Sequence, residues 1–172
     1  MDPSDAVAHS FLGLVYTMMR QHEKGLAEAE KAITINPNAA DAHCILGMVL
    51  NYNGNHKEAI EAIKKAIRLN PFPPTWYWQN LGSAYCDAGM HEEAIAALRR
   101  ALSSSPDNLL ARVRLAATYS LSGREQEARA EAAEVLRINP KFSVDSYTKA
   151  VPYKDESETD KLINALREAG LK

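Results

Sequence analysis

Prolines recur along this chain at a nearly constant spacing. Pro3, Pro37, Pro71, Pro106 and Pro140 are separated by 34, 34, 35 and 34 residues. Proline cannot continue a helix, because it lacks the backbone N–H and its ring clashes with the preceding turn. Prolines at a fixed interval therefore predict a helical unit that ends at the same place in every copy. A repeat of this length is typical of a solenoid, in which each unit buries its apolar face by stacking on its neighbours.

Other residues keep the same period. Two columns hold small residues, and this pattern predicts close contact between two helices in each repeat. Their members are Gly13, Gly47, Gly82 and Ala116, and Gly25, Ala59, Ala94 and Ala128. A third column, Gly54, Gly89 and Gly123, places glycine where the first helix of a repeat ends, a position that favours left-handed backbone. The first repeat has Arg20 there instead, so we expect its turn to be less regular.

The third repeat follows a known consensus. Its residues Trp78, Leu81, Gly82 and Tyr85 match W-x2-L-G-x2-Y, and Ala94, Leu98 and Pro106 continue the pattern A-x3-F, then P. The chain thus resembles the tetratricopeptide repeat family. The resemblance implies an all-α, right-handed superhelical solenoid of helix-turn-helix repeats. We predict a segment 1–5 that is either the tail of a preceding repeat or the start of the chain, repeats at 6–39, 40–74, 75–108 and 109–142, and a C-terminal capping segment at 143–172.

The last thirty residues break the period. The stretch SVDSYTKAV predicts a short helix that begins at Ser143 and is ended by Pro152. A final helix follows, with Asp155 or Ser157 as its N-cap and Gly170 as its stop. From Pro71 onward, PFPPTWYWQNLGSAY, VPYKD and ALREAGL are similar to the C-terminal repeat region of some bacterial class III adenylate or guanylate cyclases. This resemblance implies a context beside an enzyme, and no activity of the chain itself.

Composition narrows the function further. A net charge of −2 over 172 residues gives no electrostatic reason to expect nucleic acid as a partner, and no apolar run is long enough for membrane insertion. Two cysteines are too few for a disulfide framework, which favours a cytoplasmic location. The five histidines fall in two repeat columns. Equivalent residues of adjacent repeats lie about 10 Å apart, too far to share a metal ion. We therefore expect no enzyme, no cofactor and no metal.

Helical spacing places several columns of each first helix on the concave side of the superhelix. We predict that these residues line a groove for a peptide or a partner helix. They are Leu14, Met18, Cys44, Met48, Asn51, Tyr52, Trp76, Gln79, Asn80, Ser83, Asp87 and Arg114. Trp78 lies in the consensus packing column, so we assign it to the core and only Trp76 to the groove.

The first helix, HSFLGLVYTMMR, is apolar on almost every side. Such a helix requires burial on several faces. We expect upstream repeats or a second copy of the chain to cover Phe11, Val15 and Met19. The predicted function is therefore a non-enzymatic protein–protein interaction scaffold. The alternatives are a regulatory or assembly domain of a larger enzyme, such as a bacterial nucleotide cyclase, and a self-assembling repeat protein.

Overall fold

The structure is a computed structural model that describes residues 3–172. Within this range the chain forms ten α-helices. They are α1 (Pro3–Met18), α2 (His22–Ile35), α3 (Ala40–Tyr52), α4 (His56–Leu69), α5 (Thr75–Asp87), α6 (His91–Ser104), α7 (Leu109–Leu121), α8 (Glu125–Ile138), α9 (Val144–Ala150) and α10 (Glu156–Glu168).

The first eight helices pair in chain order, α1 with α2, α3 with α4, α5 with α6 and α7 with α8. The helices α1, α3, α5 and α7 also contact one another in succession, and α2, α4 and α6 each contact the next odd-numbered helix. Every pair therefore buries its apolar side against the next pair. The predicted all-α, right-handed superhelical solenoid is confirmed.

The turns within the helix pairs share one geometry. Gly54, Gly89 and Gly123 have φ of 86°, 76° and 76°, and Arg20 has φ of 59° in the equivalent place. Each of these four residues is followed by one whose backbone N–H donates to a carbonyl five residues back, such as Gln21 to Tyr16 at 2.8 Å. The expectation of a less regular first turn was therefore wrong. Arg20 adopts the left-handed backbone at a cost of about 1–2 kcal/mol, and its guanidinium donates to the carbonyl of Tyr153.

Close helix contact within each pair depends on the small-residue columns. A Cβ added to Gly82 would lie 2.5 Å from Cγ of Leu98 on α6, well inside van der Waals contact. Trp78 packs as predicted, half-buried against the core, with the Arg100 guanidinium 3.9 Å from its ring centroid. The core consists of three clusters of buried residues, and the one centred on the last two helix pairs extends into the C-terminal segment.

Both ends of the chain add detail to the prediction. Residues 3–5 belong to α1, and Met1 and Asp2 lie outside the described residues, so the assignment of segment 1–5 stays a prediction. At the other end, the Ser143 hydroxyl caps α9, and the Asp155 carboxylate, not Ser157, caps α10. Gly170 follows α10 with φ of 102°. Helix α10 packs against α7 and closes that end of the core.

Candidate functional site

The concave side of the superhelix contains a cavity of about 240 Å³. Helices α1, α3, α5 and α7 each contribute to its walls, because they stack side by side along this face. The C-terminal segment supplies the remaining wall. The lining residues are Met18, Met48, Asn51, Tyr52, Gln79, Asn80, Ser83, Leu110, Arg114, Tyr147, Ala150, Val151 and Tyr153.

Most of the predicted groove residues lie around this cavity, namely Met18, Met48, Asn51, Tyr52, Gln79, Asn80, Ser83 and Arg114. Four predicted residues do not line it. Leu14 packs into the core between the first two helix pairs. Cys44 is fully buried, and burial raises the pKa of its thiol, so a partner in the groove could not touch it. Asp87 lies behind the cavity wall and contacts its lining residues.

Trp76 is also absent from the cavity lining. Its ring packs edge-on against Tyr77, with centroids 4.5 Å apart and planes at 83°. The same ring lies partly buried against the cores that join the first three helix pairs, beside Ile45 and Val49. Packing of neighbouring repeats therefore covers part of this ring. Trp76 does not line the cavity, and its contact with a partner stays a prediction.

Behind the cavity, the Asp87 carboxylate is the centre of a polar network. It accepts hydrogen bonds from Nη2 of Arg114 at 2.5 Å, from Nδ2 of Asn51 at 2.6 Å and from the Tyr153 hydroxyl at 2.5 Å. The Oδ1 atom of Asn51 is bonded in turn to Nδ1 of His56 at 2.8 Å. Residues predicted to contact a partner are thus hydrogen-bonded to one another, and Tyr153 of the C-terminal segment completes the network.

The ion pair at the centre of this network is shielded from water. Only 5% of the Arg114 side chain and 8% of the Asp87 side chain are exposed. Burial is the largest single effect and would lower the pKa of Arg114, but the negative charge of Asp87, together with smaller contributions from Tyr153 and other groups, raises that pKa well above its ordinary value. Arg114 therefore stays charged and is neutralised by Asp87. Among the described lining residues Arg114 alone is charged, so the cavity presents an apolar wall with neutral polar groups.

The four residues that follow α9, Val151–Lys154, cross the concave side to α10 outside any helix, and we call this segment the strap. Val151, Pro152 and Tyr153 are buried. The backbone N–H of Lys154 donates to the carbonyl of Tyr52 at 2.9 Å, and the Tyr153 carbonyl accepts from Nη1 of Arg20 at 3.2 Å. The strap therefore connects the C-terminal segment to the first and second helix pairs.

Sequence reasoning missed the part of the site that the C-terminal segment provides. Tyr147, Ala150, Val151 and Tyr153 line the cavity, although the segment was expected only to cap the last repeat. These residues follow no repeat column, so the period gave no indication of where they pack. The one available signal was composition, since the strap sequence VPYK places two apolar residues and a tyrosine between two helices.

Helix α1 presents a second candidate surface. Phe11, Val15 and Met19 are 54%, 51% and 60% exposed. At the positions that match Phe11 and Val15 in the next repeat, Ile45 and Val49 are 2% and 0% exposed, because the first helix pair covers them. Within the described chain, the exposed face of α1 is therefore the surface that other repeats bury against a neighbour.

Across residues 3–172, no three His, Cys, Asp or Glu side chains come together as a metal ion would require. Over the same range, none of the helices has the length and apolar character needed to cross a bilayer.

The sequence of this chain is similar to known helical repeat sequences, in agreement with the fold. Models described as tetratricopeptide repeat match residues 40–73 and 86–147. The putative adenylate cyclase 3 of Rhizobium meliloti (strain 1021) is 48% identical over 44 residues, which are 26% of this chain and only 8% of the cyclase. The chain therefore matches a small fraction of that relative.

Solved structures show the same fold at low identity. PilW, described as a widely conserved type IV pilus biogenesis factor, superposes with a TM-score of 0.77 at 20% identity, over 98% of this chain and 74% of PilW. YrrB, described as having an unusual peptide-binding site, gives 0.63 at 23% identity, over 96% of this chain and 84% of YrrB.

Proposed function

Since this chain belongs to the tetratricopeptide repeat family, whose fold is a scaffold for protein–protein interaction, we propose that its concave cavity binds a peptide or a partner helix through an apolar side chain. The observation that carries the proposal is the cavity itself. It is open to the concave face, it holds about 240 Å³, and side chains from four stacked helices converge on it.

The chemistry of the lining indicates what the partner presents. Met18, Met48 and Leu110 supply apolar contact, and methionine adapts to side chains of different shape. Gln79 and Asn80 supply amide groups that bond to a peptide backbone. Because Asp87 already neutralises Arg114, the cavity has no free charge to hold an acidic terminus. We propose a partner segment that places an apolar side chain in the cavity and no acidic group beside it.

A random peptide library displayed on phage tests this proposal. Peptides selected on the immobilised chain would be labelled, and their affinity measured by fluorescence polarisation. Leu110→Asp places a carboxylate at the exposed rim of the cavity, where an apolar ligand would desolvate it. We expect at least about a tenfold loss of affinity, which corresponds to about 1.4 kcal/mol.

The matched control is Leu136→Asp, the same change at a leucine on α8, which is exposed and does not line the cavity. We expect this variant to bind the selected peptides as the original chain does. An equal loss in both variants, or in neither, would contradict binding at the cavity.

The exposed face of α1 favours a second role in self-association. We propose that a second copy covers Phe11, Val15 and Met19, because the described chain leaves this inter-repeat surface open. The opposite end is closed by α10, so two α1 faces would meet each other. Sedimentation velocity tests this role: Val15→Asp should abolish a concentration-dependent increase in sedimentation coefficient, and Leu136→Asp should not. Concentration-independent sedimentation of the unaltered chain would rule the role out.

The match to the cyclase favours a third role, as a regulatory or assembly part of a larger nucleotide cyclase. Its support is the 48% identity over 44 residues. Sequencing the complete reading frame in the source genome tests it. A cyclase catalytic domain in the same frame would support the role, and a frame without one would remove it.

A cytoplasmic location remains a prediction from the cysteines.

A further inference from the structure

We propose that the strap, Val151–Lys154, is an intramolecular ligand of the concave surface, and that the surface recognises the same kind of segment in a partner. This inference rests on the proposed function of that surface and names the chemistry of its ligand: a non-helical segment with a tyrosine, a basic residue directly after it and an apolar residue two positions before it. A partner of this kind competes with the strap for its place.

The tyrosine of the strap occupies a built pocket. Its hydroxyl donates to Asp87, a carboxylate held in place by Asn51 and Arg114. Its ring lies edge-on to that of Tyr52, with centroids 5.5 Å apart and planes at 71°. The surface therefore reads both the aromatic ring and the hydroxyl of Tyr153. A phenylalanine in its place would leave a carboxylate oxygen of Asp87 without the hydrogen bond that the hydroxyl donates.

The surface also forms hydrogen bonds with the backbone of the strap and an ion pair with its lysine. The Lys154 N–H donates to Tyr52, the last residue of α3, whose carbonyl has no acceptor role within its own helix. The Tyr153 carbonyl accepts from Arg20, and Nζ of Lys154 lies 2.7 Å from Glu23. These backbone bonds engage the carbonyl and the N–H of one peptide unit, and side-chain pockets lie beside it, so main-chain hydrogen bonds supply affinity and pockets supply specificity, as in other modes of peptide recognition.

Covalent attachment explains why the strap holds the site in the unliganded chain. Attachment gives the strap an effective concentration on the order of millimolar at its own pocket. A free segment of similar intrinsic affinity therefore binds weakly while the strap is seated. Loss of Tyr153 removes the ring and the hydroxyl together, and so releases the site to a segment supplied in solution.

The test uses a labelled peptide with the sequence of residues 148–157, TKAVPYKDES. Its affinity is measured by fluorescence polarisation for the unaltered chain, for Tyr153→Ala and for Tyr85→Ala. Tyr85 is half-buried on α5, outside the strap contacts, and provides the same chemical change as a control. We expect binding to Tyr153→Ala to be at least about tenfold tighter than to the other two proteins. A peptide with phenylalanine in place of the tyrosine should bind more weakly.

Equal affinity for the three proteins, or no binding to folded Tyr153→Ala, would overturn the inference. Circular dichroism establishes whether the variant is folded, and Tyr153→Phe replaces it if it is not. A second measurement is hydrogen exchange at the Lys154 amide, which should accelerate in Tyr153→Phe; unchanged exchange would also overturn the inference. If the strap peptide fails while library peptides still depend on Leu110, the proposed function stands without this ligand. If no peptide binds at all, both proposals fail.

Discussion

Replacing Asp87 with asparagine removes the negative charge beside a buried arginine and leaves the volume of the side chain almost unchanged. The Arg114 side chain is 5% exposed, so its positive charge would remain in a site that water does not reach. The new amide group also places an N–H₂ where the carboxylate accepted hydrogen bonds, opposite donors on Asn51 and Tyr153. Breaking one partner of a buried ion pair in this way costs about 3–5 kcal/mol.

The assay is urea unfolding, followed by far-ultraviolet circular dichroism and by tryptophan fluorescence. We expect the free energy of unfolding of Asp87→Asn to be about 3–5 kcal/mol lower than that of the original chain. Asp107→Asn provides the control, since Asp107 pairs with Arg137 and both side chains are exposed. Water screens such a pair, so this variant should unfold at the same urea concentration as the original chain. Equal stability of the two variants would refute the view that the Asp87 network is a buried electrostatic unit.

Two further predictions concern packing and pH. Gly82→Ala forces a methyl group against Leu98, so we expect the free energy of urea unfolding to fall by about 1–3 kcal/mol. Ala116→Ser is the control at the equivalent position, where a Cβ is already accommodated. An equal fall in both variants would contradict a close approach of the helices that requires glycine at position 82. Burial raises the pKa of Tyr147 to about 12 and that of Tyr153 well above its ordinary value. Because a raised pKa favours the protonated form in the folded state, their contribution to stability is complete below about pH 10, the ordinary pKa of tyrosine, and is lost as the pH rises through the folded-state values. The urea midpoint should therefore fall between about pH 10 and 12, less steeply in Tyr153→Phe, and an unchanged midpoint would contradict the burial of these tyrosines.

Much of the fold could be predicted because its determinants lie close together in sequence. A glycine such as Gly54 ends a helix through its own backbone conformation, and Ser143 caps a helix through a residue three positions away. The glycine signal repeats with the period, and the Ser143 cap acts within its own helix. Arg20 shows where this local reading failed, since a contact with Tyr153, far along the chain, accompanies its left-handed turn.

The candidate site was harder to predict, because its composition depends on contacts between distant segments. The columns placed Asn51 and Arg114 on the concave side, and the structure has them there. No column could show that Tyr153 covers them, since the C-terminal segment follows no period. Trp76 illustrates the related problem that a residue on the predicted helix face can be partly covered by the packing of neighbouring repeats.

The strap changes the mechanical character of the molecule. In a simple solenoid each repeat contacts only its neighbours, so the array behaves as a spring whose pitch varies with thermal motion. Here Tyr153 bonds to Arg20 at one end of the coil and to Asp87 near its middle, and α10 is fixed to α7 at the other end. The strap therefore restrains changes in the pitch of the superhelix. A ligand that replaced the strap would remove this restraint, and binding at one groove would make the entire superhelix more flexible.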